Sequence, residues 1–131
     1  MPIHLLLAAA AVLTPAAAKH VPPPGSLERR AILDALRPSV EAKFRVPVEF
    51  ARTQICVANG AALVLADPPR KGGGTLPWRN VMSRDEYENT SLDVSAVLRF
   101  RNGRWNLIDS AIGATDVWYQ DLLPTGFGGG C

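Results

Sequence analysis

From Leu27 onward the apolar positions recur at helical spacing. Ile32, Leu33, Leu36, Val40 and Phe44 fall on one face, while Glu28, Arg29, Asp34 and Glu41 point elsewhere. Ser26 stands where an N-cap is needed, and Glu28 lies in the first turn, where the helix dipole favours an acid. Pro38 removes a backbone donor and disfavours a helical Arg37, which predicts a kink or brief break there.

Beyond Phe44 the period changes from helical to alternating. Val46, Val48 and Phe50 alternate ahead of two hairpins of the same design. The first runs from Thr53 to Asp67 around Asn59-Gly60, the second from Leu92 to Ile112 around Asn102-Gly103. Asn-Gly between apolar runs predicts a type I′ turn, because that turn needs positive φ at both positions. A two-residue turn sets the register. Ile55 then faces Val64, Val57 faces Ala62, Cys56 faces Leu63 and Gln54 faces Leu65. In the second hairpin Phe100 faces Trp105 and Leu98 faces Leu107, sharing one face with Val94 and Ala96. Arg99, Arg101 and Arg104 occupy the other face, where they form a solvated surface whose like charges keep sheets from adhering. Both faces of the first hairpin are apolar. It is therefore central in its sheet, covered by another segment, or used in self-association.

A helix followed by antiparallel hairpins predicts an α+β fold. The N-terminal helix packs on a twisted antiparallel sheet of four to five strands, an element order of the cystatin-like kind. The long segment from Asp67 to Leu92 holds Pro68-Pro69, Gly72-Gly73-Gly74 (read as a hinge) and the charged run Arg84-Asp85-Glu86-Tyr87-Glu88. Trp78 and Tyr87 offer enough apolar area to pin it to the body. Gly113 to Asp116 reads as a turn into a short helix from Val117 to Leu123, capped by Thr115 or Asp116 and stopped by Pro124. The Gly-rich tail after it is too sparse to order itself.

The chain begins with an apolar run, Leu5 to Leu13, followed by Ala16-Ala17-Ala18. This reads as a signal peptide over residues 1–18, although its n-region carries no Lys or Arg. The run is too short for a bilayer, which needs about 20 apolar residues. No later run is long enough either, so no membrane span is expected. Residues 19–25 form a Pro-rich leader, read as an exposed spacer, and residues 26–131 a single domain in the periplasm or outside the cell. Cys56 and Cys131 are the two cysteines, and an oxidising compartment permits a disulfide between them. The net charge of +2 is too small to suggest nucleic acid as a partner.

Several chemistries lack their residues. The two histidines are His4, within the signal, and His20, on the leader, so the domain body holds no imidazole base or zinc ligand. Cys56 lies in an apolar strand without a partner imidazole. Lys19-His20 at a new amino end could chelate Cu(II), but no Met- or His-rich tract accompanies it, and no cofactor is expected. Asp93, Asp109 and Asp116 remain as carboxylates for hydrolysis of wall glycans or peptides, the second reading, with Asp109 and Asp116 as its pair. The first reading is a binding module rather than an enzyme. Trp78, Trp118 and Tyr119, with Arg70, Lys71 and Arg79, would line a groove for a cell-wall fragment or an extracytoplasmic protein. A homodimer through the outer face of the first hairpin is the third.

Four stretches resemble a family of small, uncharacterised secreted bacterial proteins. They are Glu28 to Arg37, the Pro-Arg-Lys-Gly-Gly-Gly loop ending in Trp78, Gly103-Arg104-Trp105, and Gly113 to Trp118. That pattern usually has a Trp near the start of the second strand, where this chain has Ala61-Ala62. The resemblance implies secretion and a single α+β domain, and no particular reaction.

Overall fold

The computed structural model describes residues 19–70, 72, 75–128 and 131. The signal segment 1–18, Lys71 and two glycines of the expected hinge, Gly73 and Gly74, lie outside the described residues. The fold is α+β: one main helix, α1 (Leu27–Phe44), packs against a four-stranded antiparallel sheet. The sheet is a meander of β1 (Thr53–Ala58), β2 (Ala61–Ala66), β3 (Val94–Arg101) and β4 (Arg104–Ile112).

Ser26 caps α1 by accepting from the Arg29 amide at 3.1 Å, and Arg45 at φ 64° ends it. Its buried stripe is Ile32, Leu36, Val40 and Phe44. The expected break at Pro38 does not occur; the helix is continuous from Leu27 to Phe44. Pro38 sits on the exposed side, so its ring meets solvent, while burial of Leu36 and Val40 on either side holds the turn. Val46, Val48 and Phe50 do not extend β1. The Val48 amide donates instead to the Glu41 carboxylate at 2.9 Å, and this stretch pairs only through a bridge between Glu49 and Arg70.

Both Asn-Gly turns have the expected positive φ, and every pair predicted across the two hairpins is present. One irregularity lies in the second. Val97 pairs with Asp109 while Leu98 pairs with Leu107, so Ile108 is an extra residue in β4. Without that bulge, strict alternation would turn Asp109 toward the helix. With it, Asp109 joins the face of Val97, and Ile112 packs into the core.

Facing α1 are Ile55, Val57, Ala62, Val64, Val94, Ala96 and Leu98, all buried. The opposite face holds a second buried cluster of Cys56, Ala58, Ala61, Leu63, Val97 and Phe127. The outer face of the first hairpin is thus covered by another segment, the chain's own C-terminus. The same cover corrects the expectation that the arginine face of the second hairpin is wet: Val97 is buried there, and Arg99 donates to the Leu122 carbonyl at 3.2 Å.

The C-terminal segment differs from its sequence reading. No α-helix spans Val117 to Leu123; a single 3₁₀ turn covers Gln120–Leu122, and neither Thr115 nor Asp116 caps it. Tyr119, Leu122 and Leu123 all lie against the second cluster, so the segment spreads flat over the sheet. The tail is ordered by the sheet rather than by itself. Phe127 is 2% exposed, with Lys19 Nζ 4.9 Å from its ring centroid. Cys131 reaches disulfide distance of Cys56, with a Cα–Cα separation of 5.5 Å.

The leader is not an exposed spacer either. His20 and Val57 exchange two backbone hydrogen bonds of 2.9 Å, and Pro22 is buried. β1 is an edge strand with free backbone groups on its outer side, and the leader occupies some of them. The loop after β2 also carries structure: a 3₁₀ turn, Trp78–Asn80, and a short helix, α2 (Arg84–Asn89). Ser83 and Glu86 close a reciprocal capping box on α2.

Two predictions follow from these contacts. Closing a loop of 75 residues constrains the unfolded chain, so Cys131→Ser should lower the unfolding free energy by about 4 kcal/mol in denaturant titration. The Ser83 amide and hydroxyl hold the Glu86 carboxyl below its ordinary value of 4.5. The cap's contribution is therefore full above that value and is lost as pH falls through the lower folded pKa. An NMR titration of Glu86 should give a depressed midpoint that moves only part of the way back in Ser83→Ala, which removes the hydroxyl but keeps the amide, the larger cause.

Candidate functional site

Of the six residues expected to share a groove, Lys71 lies outside the described residues and the other five fall in three places. Trp78 packs on the helix-facing core, stacked on Tyr87 at 4.2 Å between ring centroids and 3° between planes. The Arg79 guanidinium lies 4.4 Å from the Trp78 ring centroid. Asn80 donates to the Phe44 carbonyl at 2.6 Å, tying this turn to the end of α1. Trp78 is thus an internal pin whose indole is already engaged by Tyr87 and Arg79. Trp118 and Tyr119 sit across the sheet. Trp118 Nε1 donates to Ser95 Oγ at 2.8 Å, and its ring meets Tyr119 edge-on at 5.6 Å. Arg70 is exposed, and its backbone pairs with Glu49.

The concave surface that includes part of this set lies on the face away from α1. It is a cleft of about 350 Å³ at the end of the sheet remote from the two Asn-Gly turns. Gln54 and Leu65 from the first hairpin, Asp67 just past it, and Asp93 and Ser95 from the start of β3 form the floor. The turn from Ala114 to Val117, with Tyr119, forms the wall. Alternation explains the floor: Gln54, Leu65 and Ser95 share the parity of Cys56, Leu63 and Val97. The wall hangs from two fixed points. One is the Trp118–Ser95 hydrogen bond. The other is Gly113, whose amide donates to the Asp93 carbonyl at 2.8 Å. Gly113 has φ +79°, and a Cβ there would stand 2.8 Å from the Ser91 carbonyl oxygen, so only glycine fits this corner.

Asp67, Asp93 and Asp116 give the cleft an acidic rim, with Arg52 3.9 Å from Asp67. Asp109 is not part of it. Its carboxylate accepts from the Ser110 amide at 2.8 Å, on β4. The structure therefore does not unite Asp109 with Asp116; the carboxylates sharing a surface with Asp116 are Asp93 and Asp67. Among the described residues no group of three His, Cys, Asp or Glu is placed to hold a metal ion. Chelation of Cu(II) through the amide of His20 would break its hydrogen bond to Val57. Gln54, Asp67 and Ser95 were missed as site residues by sequence reading. The signal available for Gln54 and Ser95 was their parity on a face whose other members are apolar.

No protein family, curated protein or solved structure matches the chain.

If Trp78 serves as a pin, Trp78→Ala should destabilise the fold by about 2 kcal/mol, as loss of a half-buried aromatic does. Amide exchange should speed up in Trp78–Asn80 and α2, while the Trp118 indole proton stays protected.

Proposed function

We propose that the chain is an exported binding module of the periplasm or extracellular space, and that its ligand site is the cleft between the start of β3 and the Ala114–Tyr119 turn. The observation that carries this reading is the cleft itself. It is concave, lies against a rigid sheet, and is walled by a turn fixed at both Gly113 and Trp118. Export is supported by the signal-like run at 1–18 and by Cys56 and Cys131 at disulfide distance. No helix among the described residues is long and apolar enough to cross a membrane. The resemblance to small secreted bacterial proteins points the same way.

The rim selects the ligand class. Carboxylates from Asp67, Asp93 and Asp116, beside the amide of Gln54, the hydroxyls of Ser95 and Thr115, and the ring of Tyr119, suit a small polar ligand carrying an amine. Amine-bearing sugars of the cell envelope have this chemistry. Asp93 and Asp116 on one cleft also give the hydrolase reading a different carboxylate pair, which incubation with a wall glycan tests.

Amide shifts followed during titration with glucosamine and with N-acetylglucosamine test the reading. The cationic sugar should move Ser95, Thr115 and Tyr119 and bind several-fold more tightly than its acetylated form. Asp93→Asn with Asp116→Asn should erase that preference. Shifts centred on Trp78–Tyr87, or none with either sugar, would overturn it, and release of product from a wall glycan would favour the hydrolase.

A further inference from the structure

The end of the sheet opposite the cleft is built on other principles. Its outermost rung, next to the Asn102-Gly103 turn, pairs Arg101 with Arg104 directly across the two strands. Like charges in that arrangement repel. Neither arginine is in an ion pair among the described residues, and both are exposed. The next rung pairs Phe100 with Trp105, edge to face at 5.3 Å, and Phe100 is 49% exposed. Arg99 follows. No Asp or Glu occurs from Leu98 to Leu107, nor in the neighbouring turn from Ala58 to Ala61. The hairpin tip is stiff: Asn106 Nδ2 donates to the carbonyls of both Arg101 and Arg104, at 3.4 and 3.1 Å.

We infer that this tip is a docking surface for an anionic phospholipid bilayer. The charge is complementary. Arg101 and Arg104 would meet lipid phosphates, and the Phe100–Trp105 pair behind them would enter the headgroup layer, where aromatic side chains concentrate. A soluble polyanion would use the arginines but gain nothing from Phe100. β3 spans Val94–Arg101, so the tip stands roughly 23 Å from the cleft along the strand. Docking would leave the cleft facing away from the lipid. The inference stands on the tip alone and is independent of what the cleft binds.

Co-sedimentation of the full chain with phosphatidylcholine vesicles, with and without phosphatidylglycerol, tests it. Comparing variants in the same chain cancels any contribution from the apolar run at 5–13. The chain should partition onto the anionic vesicles, less so as salt rises. Arg101→Gln with Arg104→Gln should lower partitioning about 25-fold, or about five-fold per arginine. The double Lys replacement should retain it, and Phe100→Ser should lower it several-fold. Near-ultraviolet circular dichroism checks that each variant is folded. Equal partitioning onto neutral vesicles, no partitioning, or partitioning that the double Gln replacement leaves unchanged would overturn the inference, and loss through the arginines with Phe100→Ser unaffected would overturn the part assigned to the aromatic pair.

Discussion

The rest of the structure depends on a sheet that is greasy on both sides. The seven strand residues between Ile55 and Leu65 make the point: Cys56, Ala58, Ala61 and Leu63 face one way, Val57, Ala62 and Val64 face the other, and all seven are buried. A small sheet cannot leave either face in water, so each needs a cover. The amphipathic helix α1 supplies one. The C-terminal segment supplies the other, with Phe127 and Tyr119 against the sheet and Cys131 beside Cys56. The edge left open by β1 takes the leader, through His20 and Pro22. Each terminal segment therefore has a structural duty, and the cleft exists because the second cover stops short of the sheet's far end.

Much of this was legible in the chain. The helix face, both turns and the strand pairs nearest them followed from spacing and from two Asn-Gly pairs, because local geometry leaves those choices little freedom. The apolarity of both faces of the first hairpin was also plain, and cover by another segment was one of its three readings. What covers it was not readable. The tail's sequence, rich in glycine, carries no periodicity, and its order comes from residues far away along the chain: Phe127 meets the cluster of Cys56, Leu63 and Val97 and the Lys19 ammonium, and Cys131 meets Cys56. The leader was misjudged for the same reason: pairing with an edge strand is a property of the edge. The bulge at Ile108 also escaped, since one inserted residue leaves the apolar pattern nearly unchanged.

The aromatic residues show the same division between local and non-local information. Trp78, Trp118 and Tyr119 looked like one surface because aromatic rings accompanied by basic residues suit a groove. The sheet separates them: Trp78 is taken up by Tyr87 and Arg79 on the helix side, and Trp118 by Ser95 on the other. Phe100, which alternation assigns to the core face, extends past the core and is half exposed. The two ends of the sheet thus differ in charge, with Asp67, Asp93 and Asp116 around the cleft and Arg101 and Arg104 at the turn. Such separation gives a small domain a preferred orientation in any external field or beside any charged surface.

The second cover is the part of this account most open to direct measurement. Nuclear Overhauser contacts between the Phe127 ring protons and the methyl groups of Leu63 and Val97 report whether the tail lies on the sheet. The account predicts strong contacts to both. A Phe127 ring with no such contacts, on a tail whose Cys131 thiol reacts freely with alkylating reagents, would contradict it.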